Sequence, residues 1–186
     1  VEAMPVFSLL FDEHTQAWRK LWEDSYLEVS SSDASLQQVI NHSIFSLLQV
    51  TRPELDTVNI GARTFGEYHK GHAFWNTEIY VLPFYTFTQP EIARALLLYR
   101  YHSLSGARER AFKEGYQGAR FPWRSGMVRK VIDADGHEHY TGGEELTTIE
   151  IRDFERGLIP GENIFGMYEM HVNWAIAAAI KMLWNN

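Results

Sequence analysis

Residues 88–106 of the chain read TQPEIARALLLYRYHSLSG, and this stretch decides the fold class. Its apolar side chains recur every three or four positions, which is the spacing of one face of an α-helix. Thr88 and Glu91 form a capping box, which predicts where the helix begins. Residues 105–106 interrupt the helix, and a charged helical turn then continues as far as Gly115.

The helical spacing recurs on both sides of this stretch. Residues 14–26 predict a helix with Asp12 as its N-cap, and the polar run 30–33 precedes a second helix. Residues 76–87 predict a short helix, and residues 162–184 predict the last one. Strands and helices do not alternate as they do around a parallel sheet, so the pattern predicts an all-α fold.

Two segments depart from the helical pattern. Residues 128–140, with a turn at Asp135-Gly136, predict a β-hairpin. Residues 51–75 lose the periodicity and are spaced by glycines, which indicates a long loop. Long loops without structure of their own are usually functional or mobile, so we expect the chemistry of the protein to lie there.

The composition excludes several classes of protein. With 186 residues, 45% of them hydrophobic and 22% charged, the chain suits about one domain and is too apolar to be disordered. It contains no cysteine, which excludes disulfides, thiolate metal sites and thiol nucleophiles. A net charge of −7 argues against a nucleic-acid partner, and no apolar run approaches the roughly 20 residues of a membrane span. We therefore expect no nucleic-acid or membrane partner and a cytoplasmic location.

The segment 59–78 has the side chains that a sugar requires. A pyranose stacks its C–H faces on aromatic rings, and its hydroxyls pair with amides, carboxylates or guanidinium groups. The other interpretation is that the aromatic residues are core anchors and that Asn76 caps the next helix. The residues alone leave both interpretations open. The candidate substrate-binding residues in this segment are Arg63, His72, Phe74, Trp75, Asn76 and Glu78.

Two further residues join this candidate set. Trp123 lies in the run 121–125, a second unit that combines aromatic rings with a guanidinium group. His171 lies on the apolar stripe of the last predicted helix, where a histidine is more often a core residue than a functional one. Both are carried as candidate substrate-binding residues.

A metal site is not expected. His69 and His72 have a spacing that occurs in metal sites, but the spacing is common and the loop is no helix that would present both rings on one side. His137 and His139 share a face of the predicted hairpin, and two ligands alone are a weak signal. We expect neither a metal nor an organic cofactor.

A series of segments, in order, carries a family resemblance along nearly the whole chain from residue 14. The segments are His14–Trp18, Gln37–Gln49, Ile60–Arg63, Gly71–Ile79, Leu82–Tyr85, Tyr99–Tyr101, Gly115–Ala119, Phe121–Trp123, Gly143–Glu145 and His171–Asn173. Together they resemble glycoside hydrolase family 65, which comprises maltose, trehalose and kojibiose phosphorylases and related hydrolases. One segment alone is a weak signal, whereas the ordered set is strong.

The resemblance implies a fold and a reaction. The fold is part of an (α/α)6 toroid, in which the loop residues Trp75-Asn76 hold the non-reducing glucosyl unit. The reaction is an inverting phosphorolysis, with inorganic phosphate as the co-substrate. In it, a carboxylic acid protonates the leaving oxygen while phosphate attacks the opposite face of the sugar.

The chain also departs from the family pattern. Asn76 stands where the family usually has Asp, which keeps a hydrogen-bond acceptor but loses a charge. The hairpin from Gly126 to Tyr140 looks inserted. The resemblance further implies that the general acid and the phosphate-contacting residues follow Asn186, so no catalytic residue is assigned within the chain.

Residues 1–186 are accordingly interpreted as the N-terminal portion of an (α/α)6 catalytic domain. An open arc of helices leaves apolar faces exposed, which we expect the rest of the domain or homo-oligomer contacts to cover. The first hypothesis for function is a fragment of a disaccharide phosphorylase that acts on α-glucosides. The alternatives are a non-catalytic sugar-binding or scaffold protein, and a fragment of a related α-glucoside hydrolase.

Overall fold

The computed structural model describes residues 6–61, 72–142 and 170–186. It divides the chain into two compact units, with the boundary between Gln49 and Val50. Helices dominate both units, which confirms the predicted all-α class, and the strands of these described residues form only two small antiparallel sheets. Within the described ranges, no helix is both long and apolar enough to cross a membrane.

The first unit begins with helix α1 (Phe7–Ser25), which starts earlier than its sequence pattern predicted. Phe7 and Phe11 lie one turn apart with ring centroids separated by 6.1 Å, so the apolar face of the helix already begins there. Asp12 consequently lies inside the helix, and its prediction as the N-cap is wrong.

Helix α2 (Ala34–Leu48) begins where the polar run 30–33 predicted. A carboxylate oxygen of Asp33 accepts hydrogen bonds from the hydroxyl of Ser35 at 2.7 Å and from its backbone N–H at 2.9 Å. These bonds favour the ionised carboxylate and lower the pKa of Asp33. Trp18 of α1 stacks on Phe45 of α2, with ring centroids 5.1 Å apart.

The second unit opens with strand β1 (Ala73–Phe74), followed by a π-helix over Thr77–Val81 and by helix α3 (Leu82–Thr88). Together these elements account for the short helix predicted over 76–87. Burial raises the pKa of the Tyr85 hydroxyl on α3, since the phenolate would lose its hydration there.

Helix α4 (Pro90–His102) has Gln89 as its N-cap, without a side-chain capping bond. The predicted capping box is therefore wrong. The hydroxyl of Thr88 instead donates to the carbonyl of Phe84, at 2.8 Å, and so binds the preceding helix. Pro90 occupies the first turn of α4, where backbone N–H groups have no partner within the helix, so the N–H that proline lacks is not needed.

Helix α5 (Leu104–Lys113) follows after one residue. The break lies at Ser103 rather than at the predicted positions 105–106, and the Ser103 hydroxyl donates to the carbonyl of Arg100 at 3.0 Å. The turn at Gly115, predicted as the end of this helix, has a positive φ of 81°, which glycine adopts without strain.

Strands β2 (Arg124–Ser125), β3 (Val128–Ile132) and β4 (Glu138–Gly142) come next. Strands β3 and β4 form the predicted hairpin, and its Gly136 has a φ of 84°. Strand β2 pairs with β1 across the unit, with Ala73 opposite Ser125 and Phe74 opposite Arg124.

Helix α6 (His171–Trp184) completes the second unit. Residues 162–169, where the last helix was predicted to begin, lie outside the described residues. Helices α3, α4 and α6 pack together with the π-helix. The buried apolar residues of these elements are Leu82, Tyr85, Ile92, Ala93, Ala95, Leu96, Tyr99, Val172, Ala175, Ile176 and Ala179.

Candidate functional site

The pairing of β1 with β2 brings two distant segments of the chain together. Phe74 lies opposite Arg124 in this sheet, so the residues that follow Phe74 and the residues that precede Arg124 are neighbours. The rings of Phe74 and Trp123 are perpendicular, with centroids 4.5 Å apart. The sheet thus joins the two aromatic units that the sequence identified separately.

Trp75 extends this contact toward helix α6. Its ring centroid lies 5.6 Å from that of Phe74 and 4.3 Å from that of His171, whose ring is perpendicular to the indole. We call Phe74, Trp75, Trp123 and His171 the aromatic cluster. All four side chains are half-buried, so each keeps some surface for a ligand.

The start of α6 is fixed by hydrogen bonds to the segment that precedes Trp123. The Asn173 side-chain amide donates to the carbonyl of Ala119 at 2.8 Å, and its oxygen accepts from the backbone N–H of Phe121 at 3.1 Å. His171 lies two residues before Asn173. These bonds therefore help to hold the imidazole against Trp75.

Asn76 is half-buried at the start of the π-helix and makes no side-chain capping bond there. Asn76 thus has the N-cap position that the alternative interpretation gave it, but its side chain does not cap the helix. An amide offers both a donor and an acceptor, which suits the adjacent hydroxyls of a sugar ring. His72 is half-buried just before β1, whereas Arg63 and His69 lie outside the described residues.

Glu78 is the candidate whose surroundings differ most from those of a sugar ligand. Its side chain is only 1% exposed, and that of Arg100 is 2% exposed. The guanidinium donates two hydrogen bonds to the two carboxylate oxygens, at 2.5 and 3.1 Å. Because this bidentate pair occupies both oxygens, Glu78 is not positioned to protonate a leaving oxygen.

The buried Arg100 also bonds the second strand of the sheet. Its guanidinium donates to the Ser125 hydroxyl at 3.2 Å. Burial by itself would lower the pKa of Arg100, but the charge and the hydrogen bonds of Glu78 outweigh this effect and raise it. The cation is therefore held firmly between the π-helix and β2.

Tyr99 adds a second connection to β2. Its hydroxyl oxygen lies 2.6 Å from the Ser125 hydroxyl and 2.6 Å from the carbonyl oxygen of Gly126. A carbonyl only accepts, so the phenol proton goes to Gly126 and the Ser125 hydroxyl can donate to the phenol oxygen. Burial raises the pKa of Tyr99, which keeps it protonated.

The sequence reasoning missed Tyr99, Arg100 and Ser125 as residues that support the site. One signal was present, because Arg100 interrupts the buried face of α4 as a lone charged residue. A buried charge requires a partner, and that requirement indicates a carboxylate such as Glu78 elsewhere in the fold. The identity of that partner could not be read from spacing alone.

The described residues contain one group with a geometry that could hold a metal ion. The ligand atoms of Asp133, Asp135 and His137 lie within 4.8 Å of one another at the exposed end of the hairpin. Asp133 uses one carboxylate oxygen to accept the backbone N–H groups of Asp135 and His137, at 3.0 and 2.8 Å. These hydrogen bonds form the hairpin turn, and the turn by itself accounts for the closeness of the three side chains.

Comparison with known proteins gives a consistent result. Residues 41–186 match the model of the glycosyl hydrolase family 65 central catalytic domain. A kojibiose phosphorylase of Halothermothrix orenii is 44% identical over 117 residues, which cover 62% of this chain and 15% of that protein. A kojibiose phosphorylase of Escherichia coli is 39% identical over 156 residues, which cover 74% of this chain and 21% of that protein.

One solved structure is similar to this chain in both fold and sequence. It belongs to a human-microbiome protein named after kojibiose phosphorylase, and the TM-score is 0.59 at 31% identity. The match covers 65% of this chain and 18% of that chain, so this chain spans between 15% and 21% of the length of these three proteins. The likeness confirms the predicted fold class.

Proposed function

The chain belongs to glycosyl hydrolase family 65, and on that premise we propose that it carries the glucose-binding part of an inverting disaccharide phosphorylase. The substrate is an α-linked disaccharide of glucose, and the co-substrate is inorganic phosphate. No metal or organic cofactor takes part. The absence of cysteine suits a reducing compartment, and we place the protein in the cytoplasm.

The aromatic cluster beside Asn76 is the observation that carries this proposal. The indole of Trp75 offers a half-buried face for the C–H surface of a glucosyl unit. The amide of Asn76 follows it directly in the chain and makes no capping bond that would compete with a sugar hydroxyl. An aromatic face next to an amide is the combination that recognises a pyranose.

In the proposed reaction, these residues bind and orient the glucosyl unit. A phosphate oxygen forms a bond to C1 as the bond from C1 to the acceptor oxygen breaks, and a carboxylic acid gives its proton to that oxygen. The products are β-glucose 1-phosphate and the released sugar. Glu78 has no part in the proton transfer because Arg100 engages both of its oxygens, and we expect the acid after residue 186.

Calorimetric titration with glucose tests the proposal. We expect saturable binding to the wild-type protein and binding at least about tenfold weaker in Trp75→Ala, since the variant removes the stacking face. Trp174→Ala is the matched control, because Trp174 lies on α6 with 79% of its surface exposed and outside the aromatic cluster. It should bind glucose as the wild type does.

Asn76→Asp adds a test of the hydrogen-bonding half of the site. A carboxylate accepts stronger hydrogen bonds from sugar hydroxyls than an amide oxygen does, so we expect glucose to bind several-fold more tightly. Absence of saturable glucose binding to the wild type, or equal binding to wild type and Trp75→Ala, would contradict the proposal.

A further inference from the structure

A cleft separate from the aromatic cluster lies between helices α4 and α5 and strand β4. Its volume is about 300 Å³, at the small end of the range for ligand pockets. The cleft shares no lining residue with the aromatic cluster. Its lining residues are Tyr101, His102, Leu104, Ser105, Arg108, His139 and Tyr140.

His102 is the buried polar group of this cleft. Its side chain is only 8% exposed, and Nε2 lies 3.1 Å from a carboxylate oxygen of Asp56. The imidazole stacks on the ring of Tyr140, with centroids 3.7 Å apart and planes 16° from parallel. The ring is therefore held in one orientation from its edge and from its face.

The other nitrogen of this imidazole, Nδ1, forms no hydrogen bond within the described parts of the chain. Because the carboxylate of Asp56 only accepts, Nε2 is the nitrogen that carries the hydrogen in the neutral ring, and Nδ1 is left as an acceptor. Nδ1 is buried and accepts no hydrogen bond from any described residue. The atom is buried too deeply for a ligand in the cleft to contact it, so the contacts open to a ligand are those of the rim.

The rim of the cleft supplies an exposed ring and an exposed cation. Tyr101 is 69% exposed and lies edge-on to His102, with centroids 5.8 Å apart. Arg108 is exposed on α5 and forms no ion pair within residues 6–61, 72–142 and 170–186. The hairpin is held against the helices by Tyr140, through its contacts with His102 and Ser105.

We propose that this cleft is a second ligand site, which binds a hexose phosphate. The sugar ring packs against Tyr101, and the phosphate pairs with the guanidinium of Arg108. The choice of a sugar as the ring rests on the proposed function. The anionic group is inferred from the exposed guanidinium of Arg108, which has no carboxylate partner among the described residues.

Calorimetric titration with glucose 6-phosphate tests this site on the intact protein. We expect saturable binding that weakens about tenfold or more in Arg108→Gln and in Tyr101→Ala, because each variant removes one of the two rim contacts. Both side chains are exposed, so the variants should fold. Arg94→Gln is the matched control, since Arg94 is an exposed arginine of α4 outside the cleft, and its binding should match the wild type.

Two further titrations identify the parts of the ligand that are recognised. Inorganic phosphate alone and glucose alone should each bind this site at least about tenfold more weakly than glucose 6-phosphate does. Equally tight binding of free phosphate, or equal binding of glucose 6-phosphate to wild type and Arg108→Gln, would overturn the proposal.

Trp75→Ala separates this proposal from the function proposed above. Glucose 6-phosphate should still bind that variant, and its binding should still be lost on adding Arg108→Gln. Failure of glucose to bind the wild type would contradict the proposed function without touching this second site. Loss of glucose 6-phosphate binding in Trp75→Ala, with binding intact in Arg108→Gln, would place the ligand in the aromatic cluster and overturn this proposal.

Discussion

Arg100 and His102 lie two residues apart near the end of α4, and each is paired with a carboxylate. Residues at this spacing point to different sides of a helix. Arg100 faces the π-helix and strand β2, where it and Glu78 are almost fully buried. His102 faces the hairpin, and its partner Asp56 keeps 36% of its side chain exposed.

The two pairs therefore have different roles. In the first, the guanidinium of Arg100 bonds Glu78 and Ser125, and so holds together two of the three segments that carry the aromatic cluster. In the second, one imidazole nitrogen is satisfied and the other faces no donor among the described residues. The first pair supports the aromatic cluster through its protein contacts, whereas the second holds His102 in the wall of the cleft beside the hairpin.

The largest expected effect comes from breaking the buried pair. Arg100→Met leaves the carboxylate of Glu78 buried without its cation, which typically lowers the free energy of unfolding by about 3–5 kcal/mol. Urea denaturation measures this loss. Arg94→Met, an exposed arginine of the same helix, should change the free energy by about 0.5 kcal/mol or less. A loss below 1 kcal/mol for Arg100→Met would mean that the pair does not hold the site together.

Tyr99→Phe should have an intermediate effect. It removes the hydroxyl that bonds Gly126 and Ser125, so the Gly126 carbonyl loses its donor and the Ser125 hydroxyl loses its acceptor, at a cost of about 1–3 kcal/mol. Urea denaturation at neutral pH gives the value. If the site depends on this bond to β2, glucose affinity should fall as well, and unchanged affinity would confine Tyr99 to a role in stability.

The same network predicts a loss of stability at alkaline pH. Burial raises the pKa values of Tyr85 and Tyr99 in the folded protein above the ordinary value of 10.0, so the folded state holds these protons more tightly than the unfolded state does. The stability that these two protonated tyrosines contribute is fully present below about pH 10, and it is lost as the pH rises above that value. The slope of unfolding free energy against pH should therefore be negative there and shallower in Tyr99→Phe. If the wild type and Tyr99→Phe showed the same slope, the loss of stability at alkaline pH would not come from Tyr99.

The smallest effect is expected from the second pair. Asp56→Asn should lower the free energy of unfolding by about 1 kcal/mol or less, because Asp56 is partly exposed and its pairing is screened by water. Urea denaturation alongside Arg100→Met gives the comparison directly. Equal losses in the two variants would contradict the different roles assigned to the Arg100–Glu78 pair and the His102–Asp56 pair.

The fold was largely predictable because its signals are local. Helical periodicity gave the helices, and the turn at Gly136 gave the hairpin. The errors at Asp12 and Thr88 concern the first residues of helices. Each side chain had two possible roles, and packing or an alternative hydrogen bond selected between them.

The aromatic cluster was only partly predictable. Trp75 and Asn76 are adjacent in the sequence, so their combination was visible, whereas the contacts of Trp75 with His171 and of Phe74 with Trp123 join distant segments. The pairing of Glu78 with Arg100 likewise spans 22 residues. A single sequence shows which side chains need partners, but the fold decides which partners they receive.

A glucose titration followed by ¹⁵N–¹H spectroscopy of the tryptophan indoles tests the central claim most directly. The account predicts that the indole resonance of Trp75 shifts in a saturable manner, while those of the exposed Trp174 and Trp184 stay in place. Glucose that leaves the Trp75 resonance unchanged, or that shifts all three resonances equally, would contradict a glucose site at the aromatic cluster.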